Sequence, residues 1–390
     1  GDFKNEKFIP DNPVPQNLEV INRLLSPSVV ETPEGDVAAI AIIPDEIGGE
    51  ATYEQGWAHL YSMPRRWQLK DGKLCQTPHP VMKQLREQPT VYSRQALTAA
   101  KPCIVSRREH QLEVKATFYP GDAKRFGFTL CKNPDNSEYS LIYYDVEKEE
   151  LIVDQTHSSL RAHIPLKIRK DHYRLDTAKP VEIRLFIDGS VVEGFINNED
   201  AFTTRIFPLK ENSTLLELFS DRKNNGSCCR SLETERCKGK DELLMKIQKM
   251  KIPAILGALL LAGTLSAGAQ MNSDSLYKEP YRPQYHFSPE KGWIGDPSGF
   301  MYYQGKYHMY WWGKVESTDL VHYQQITPYA MTGTDDNISY FTGSAVIDKN
   351  NTAGFGKGAY VAAYTVFEKD SKKQAQGISF SHDGKTFHYY

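Results

Sequence analysis

The chain has 390 residues, 47 basic against 49 acidic, for a net charge of −2. At about 150 residues per domain, that length predicts two or three domains, each able to bury a core without disulfide or metal staples. The balanced charge excludes a general nucleic-acid binder, and 40% hydrophobic with 25% charged residues excludes a disordered, collagenous or polytopic membrane chain.

Strand signals dominate residues 1 to about 222. Phe126-Gly-Phe-Thr-Leu130 and Tyr139-Ser-Leu-Ile-Tyr-Tyr-Asp145 are separated by the turn-rich Asn133-Pro-Asp-Asn136, and Leu151-Ile-Val-Asp154 follows. Between Arg161 and Arg174 lie five basic residues and one acid. Without interleaved aromatics, these read as a charge-protected loop and edge strand rather than a nucleic-acid patch. Val181, Ile183, Leu185 and Ile187 alternate with Glu182 and Arg184, then Asp188-Gly189 turns into Val191-Val-Glu-Gly-Phe195. Alternation, a turn dipeptide and alternation again make a β-hairpin. Repeated short strands of this kind predict a β-sandwich over residues 97–222.

The next stretch has no period. Cys228, Cys229 and Cys237 crowd into ten residues without a Cys-x-x-Cys pair or nearby histidines, so a zinc site is disfavoured. Residues 223–244 read either as a polar linker or as a frame-shifted junction. Under one choice of codons, Asn224 to Cys237 decoded one nucleotide later gives Thr-Thr-Val-Ala-Ala-Ala-Glu-Val-Trp-Lys-Leu-Lys-Asp-Ala, which alternates like a closing strand. That frame reaches a stop overlapping the start codon of Met245, which would fuse two adjacent genes by a slip near Arg222 and Lys223. From Met245 runs Met-Lys-Ile-Gln-Lys-Met-Lys, then fourteen residues from Ile252 to Leu265 that are almost all apolar, then Ser266-Ala-Gly-Ala-Gln270. This is the order of a secretory signal peptide, over 245–269. The apolar run falls short of the roughly 20 residues a spanning helix needs, so no stable membrane insertion is expected after cleavage. A signal peptide works at an N-terminus, so Met245 reads as the start of one protein and residues 1–222 as the end of another. A beginning at Gly1 rather than methionine fits a missing upstream part.

In residues 270–390, His286-Phe-Ser-Pro289 precedes Gly292-Trp-Ile-Gly-Asp-Pro-Ser-Gly299. A short apolar strand, Phe300–Tyr303, turns at Gln304-Gly305 into Tyr307–Trp312; Ser317–His322 and Phe341–Val346 come next, and Ser381–Phe387 forms a last tight turn. Their spacing predicts four-stranded propeller blades. Asp296 is a carboxylate fixed by a following proline beside Trp293, a setting that suits a glycosidase nucleophile. Taken alone, the same residues also fit an Asp-Pro turn next to a structural tryptophan.

The order of the motifs resembles glycoside hydrolase family 32. Trp293 to Gly299 is similar to that family's Trp-Met-Asn-Asp-Pro-Asn-Gly, whose aspartate is the nucleophile. Phe341 to Val346 resembles its Phe-Ser-Gly-Ser-Ala-Val, and Trp312-Gly313 with Ser317–His322 resembles its Trp-Gly and Ser-x-Asp-Leu-x-His stretch. In the first segment, Gly56-Trp-Ala58, Ser62-Met-Pro-Arg65, Asp71-Gly-Lys-Leu74, Gln76, Pro78 and Leu85-Arg86 look like its junction between last blade and C-terminal sandwich. Val181–Ser190, Val192-Glu193 and Thr204–Pro208 resemble that sandwich's strands, and Gly1–Phe8 the segment after its acid/base region. The resemblance implies an all-β fold: part of a five-bladed β-propeller plus the C-terminal β-sandwich. The expected domains are the end of the last blade (1–70), a connector (71–96), the sandwich (97–222) and the first blades (270–390).

The resemblance further implies hydrolysis of β-fructosides such as levan, inulin or sucrose, by retaining double displacement in the periplasm or outside the cell. Asp296 would be the nucleophile, Trp293, Trp312, Phe341 and Ser344 would line the fructose site, and Trp57 would complete its rim. No metal or cofactor is implied. Gly295 and Ser298 replace two of the family's asparagines, and the stretch Tyr310–Gly313 is shortened and lacks its usual glutamine, which bears on which fructoside fits. The family's acid/base comes from a Glu-Cys motif and its stabilising carboxylate from Arg-Asp-Pro, and neither motif occurs in these 390 residues. A family C-terminus thus precedes a family N-terminus, with the central blades absent and the chain expected to be inactive. The other reading is a carbohydrate-binding or structural module without catalysis. If Met245 serves as a start, signal peptidase cuts after Ala269, and N-terminal sequencing of the exported product begins at Gln270; retention of the apolar stretch would indicate an anchor instead.

Overall fold

The computed structural model describes every residue except 12, 22, 49–53, 88, 93–95, 98–101, 106–110, 223–244, 250–276, 312 and 327–334. The linker, the three clustered cysteines and the apolar stretch read as an export signal therefore lie outside the described residues. Among the described residues, no helix is long and apolar enough to cross a membrane.

The fold is all-β, a sandwich joined to propeller blades. In one sandwich sheet, the predicted hairpin forms from Val181–Asp188 and Val191–Ile196. Gln111–Phe118 pairs with the first of these strands, setting Leu112 against Ile187, Val114 against Leu185 and Ala116 against Ile183. The period-2 alternation thus delivers one apolar row from each strand to the core. The second sheet brings Phe126, Phe128 and Tyr144 to the same core, where the Phe118 ring lies 5.1 Å from Phe126 and 5.4 Å from Phe128. Each such buried side chain contributes roughly 1.5–3 kcal/mol.

Three four-strand antiparallel arrays form blades. Blade A comprises Leu25–Glu31, Val37–Ile43, Arg65–Lys70 and Lys73–Pro78, with Leu60–Tyr61 added beside its second strand. Blade B comprises Ser298–Tyr303, Lys306–Tyr310, Lys314–Ser317 and Tyr323–Ile326. Blade C comprises Ile338–Asp348, Ala359–Glu368, Gln374–Ser381 and His388–Tyr389. The first strand of blade B lies along the first strands of both A and C. Apolar layers fill the gaps: Ile40, Tyr61, Phe287, Phe300 and Met309 between A and B, and Met301, Tyr310, Ala345 and Tyr360 between B and C. The first and last parts of the chain are therefore packed against each other.

Two boundaries differ from the sequence expectation. Blade A runs to Pro78, because Asp71 and Gly72 both take positive φ (50° and 77°), the geometry of a tight hairpin turn. The expected connector therefore supplies the blade's last strand, and its Thr90–Tyr92 joins the sandwich. Met245–Lys249, read as the basic start of an export signal, forms a strand between Gln111–Phe118 and Thr90–Tyr92. Its backbone pairs with the groups that Gln111–Phe118 would otherwise present as a bare edge.

Candidate active site

Asp296 stands two residues before the first strand of blade B and is half-buried. Its carboxylate meets blade C. The pairing of Ile338–Asp348 with its neighbour runs from Phe341↔Thr365 directly to Gly343↔Tyr364, leaving Thr342 as the extra residue of a bulge. A bulge re-aims the side chain it carries. The Thr342 hydroxyl donates to Asp296 Oδ2 at 2.9 Å, and Asp296 Oδ1 accepts no hydrogen bond from the described residues. Ser298 Oγ donates to the Asp296 carbonyl (3.4 Å) and accepts from the Gly343 N–H (3.4 Å).

The first part of the chain holds the backbone of the same loop. Gly292–Trp293 pairs parallel with Trp57–Ala58, the Gly292 N–H donating to Gly56 O at 2.9 Å and the Ile294 N–H to Ala58 O at 3.1 Å. The Tyr61 hydroxyl donates to Gly295 O (3.2 Å), and the Ser28 hydroxyl to Pro297 O (2.5 Å). Burial, and then the negative charge of Asp296, push the Tyr61 phenol well above its ordinary range, so it remains a donor.

Of the residues singled out in the sequence, Trp293 is 55% and Phe341 49% exposed, and Ser344 is exposed on the same strand as Thr342. Trp312 lies outside the described residues. The expectation for Trp57 is corrected: it is 1% exposed and forms no rim. Its ring packs with Leu24, Ala41, Ile43 and Val191, under the Arg282 guanidinium at 4.3 Å. The half-buried His59 stands edge-on to Trp293, ring centres 5.6 Å apart. It takes positive φ (62°), its N–H donating to Asp45 Oδ2 at 2.8 Å and its Nδ1 accepting from the Asp45 N–H at 3.0 Å. Burial, reinforced by the Arg205 charge, lowers its pKa against the pull of Asp45, so the ring is neutral at pH 7.

Sequence reasoning missed Thr342, Tyr61, Ser28 and His59. Thr342 lay within a quoted motif, but nothing in the pattern marked it as the bulged residue. Asp319 and Asp383 are turn caps. Asp319 Oδ1 accepts from the Val321 and His322 N–H groups, and Asp383 Oδ1 from those of Lys385 and Thr386, each after the third strand of its blade. The shared Ser-x-Asp spacing at Ser317 and Ser381 carries this repeat. No three His, Cys, Asp or Glu side chains cluster as metal ligands among the described residues.

Ten residues before Asp296, His286 is fully buried between two sandwich carboxylates. Its Nδ1 lies 2.9 Å from Asp188 Oδ2 and its Nε2 2.9 Å from Glu193 Oε1. Asp188 also accepts from the N–H groups of Gln284, Tyr285 and His286, and Glu193 from the Met63 N–H and the Arg65 guanidinium. Arg65 continues to Glu19 (2.7 Å), Gln76 and Thr203. Gly189 is needed beside this junction, because at φ +59° a Cβ there would stand 2.9 Å from the Arg282 carbonyl. Burial alone would lower the His286 pKa, but the hydrogen bonds to Asp188 and Glu193 push it up to about 9. Burial alone would raise Glu193, but Arg65 and His286 hold it below its ordinary value.

With an unfolded value of 6.5 and a folded value of about 9, protonated His286 stabilises the fold fully below pH 6.5. That contribution is lost as pH rises through about 9. Thermal melts across this window should show falling stability in the parent chain and a flatter profile in His286→Gln. Equal slopes would contradict an imidazolium at this site.

Residues 81–234 match the profile described as "Glycosyl hydrolases family 32 C terminal", and residues 286–390 match "Glycosyl hydrolases family 32 N-terminal domain", so the C-terminal type comes first in this chain. Together the two matches cover more than half of the chain. Similar proteins include a "Levanase" of Bacillus subtilis (strain 168), 39% identical over 151 residues, covering 35% of this chain and 22% of the relative. An "Extracellular exo-inulinase inuE" of Aspergillus niger is 36% identical over 167 residues, covering 35% of this chain and 31% of that one. The chain thus spans less than a third of the length of either relative. Fructan 1-exohydrolase IIa from Cichorium intybus is similar in fold, with a TM-score of 0.52 at 17% identity over 63% of this chain and 52% of that one.

Proposed function

The chain belongs to glycoside hydrolase family 32, and from that premise we propose that the Asp296 site acts on β-fructosides by retaining double displacement. The observation that carries this reading is the placement of Asp296: half-buried at the mouth of a blade strand, with one carboxylate oxygen held by Thr342 and the other free of hydrogen bonds from the described residues. A nucleophile needs this combination of fixed direction and an open lone pair. The exposed Trp293, Phe341 and Ser344 supply apolar and hydrogen-bonding surface for a fructose ring. The names of the similar levanase and exo-inulinase point to levan, inulin or related fructans, and the 245–269 pattern to export.

In the proposed reaction, Asp296 attacks the anomeric carbon and the bond to the leaving oxygen breaks. A second carboxylate about 5 Å from the nucleophile must protonate that oxygen and later activate water. The family's acid/base and stabiliser motifs are absent from these residues. The acid and the nucleophile work as a unit, so losing one typically forfeits a factor on the order of thousands in rate. The sandwich could still bind carbohydrate without turnover.

Fructose release from levan, inulin and sucrose by the 390-residue chain should accordingly be negligible. A family 32 chain that carries this Asp296 segment together with Glu-Cys and Arg-Asp-Pro motifs should hydrolyse them with retention, and Asp296→Asn should abolish that activity. Robust turnover by the 390-residue chain, lost on Asp296→Asn, would mean that another carboxylate serves as the acid.

A further inference from the structure

We propose that Tyr61 of blade A is the positioning residue for Asp296, orienting the nucleophile through the peptide that precedes it; the proposal rests on the reading of Asp296 given above. The Tyr61 hydroxyl donates to Gly295 O at 3.2 Å, and Gly295 is itself buried. A peptide unit is planar, so anchoring the Gly295 oxygen also sets the nitrogen and Cα of Asp296. On the other side, Pro297 restricts Asp296 to extended backbone. Ser28 Oγ anchors the Pro297 oxygen at 2.5 Å. With the Cα pinned from both directions, the remaining freedom of Asp296 is its own side chain, and Thr342 fixes that through Oδ2.

Tyr61 is suited to this task because its ring does not depend on its hydroxyl. The ring is 1% exposed, 5.8 Å from Phe287 and edge-on to Trp311 at 6.3 Å, both in the second segment. Tyr61→Phe therefore keeps the packing and removes one donor, leaving a buried carbonyl without it. The pairing of Gly292 and Ile294 with Gly56 and Ala58 does not involve that hydroxyl. The loop should stay docked while the Gly295–Asp296 peptide is free to rotate. A misdirected nucleophile loses rate without losing substrate affinity.

A chain without the family's acid motif needs a probe whose leaving group departs without a proton, and β-fructosyl fluoride is one. An Asp296 carboxylate oxygen forms a bond to the anomeric carbon while the carbon–fluorine bond breaks. The bonding electron pair leaves on fluoride, no proton is transferred, and the fructosyl ester on Asp296 is read as a mass increase of the intact chain. The parent chain should label with saturation, and Asp296→Asn should not label. Tyr61→Phe should melt within a few degrees of the parent, keep the half-saturating fluoride concentration, and show a maximal labelling rate lower by about tenfold. Ser28→Ala, which frees the other anchor, should slow the same step. A structural role alone would not separate rate from half-saturation in this way. Labelling of Tyr61→Phe at the parental rate, with Asp296→Asn silent, overturns the role of Tyr61 and leaves the nucleophile reading standing. A parent chain that takes no label, or an Asp296→Asn variant that labels equally, overturns the nucleophile reading and the proposal together.

Discussion

The structure depends on one buried charge cluster. Glu193 and Asp188, from adjacent strands of the sandwich hairpin, hold His286 between them, while Arg65 ties Glu193 to Glu19 and blade A. Such a cluster is not a large net source of stability, since desolvating each charge costs several kcal/mol. Its effect is conditional. Once any member is buried, every other must be present and oriented, because an unpaired buried charge costs about 3–5 kcal/mol. This makes the docking of 284–288 onto the sandwich all-or-none and fixes where the following chain emerges. Ten residues on, that chain carries Asp296.

The candidate site is correspondingly an assembly of distant parts. Blade B contributes Asp296, blade C the Thr342 hydroxyl, blade A Tyr61 and Ser28, and the short strand Trp57–Ala58 the edge that holds the loop. The two matched regions of the chain occur in reverse order, yet the structure packs blade A from the first part against blade B from the last. The apolar layer of Tyr61, Phe287 and Trp311 lies at this junction and spans both parts of the chain. The geometry of Asp296 is therefore a property of the blade junction, and blade B alone does not determine it.

Local physics made much of the fold legible in the sequence. The Val181–Ile187 alternation and the short strands after Phe300 depend only on the two-residue period, and the hairpin turn, expected at Asp188-Gly189, falls one residue on at Gly189-Ser190, where Gly189 accepts positive φ. Asp296 was singled out by the order of the family motifs, because its proline and aromatic neighbours alone fit an Asp-Pro turn. Its partners were not, since Tyr61 reaches Gly295 across 234 positions of sequence and Thr342 is set apart only by a one-residue bulge. Trp57 shows the opposite failure. A tryptophan in a glycine-flanked motif reads as a sugar platform, but Arg282 and Val191, far away in sequence, close over it. The strand at Met245–Lys249 likewise follows from an edge that only the assembled sandwich presents.

The most direct test of this account is the protonation state of His286 in the intact chain. Nitrogen-15 NMR of histidine-labelled protein at about pH 7.5, with His286→Gln to assign the signal, reads both ring nitrogens. The account predicts that both carry protons at this pH and that the ring loses one only near pH 9. A neutral ring at about pH 7.5, or a titration at the ordinary histidine value, would show that the segment leading to Asp296 is not held by a charged clamp.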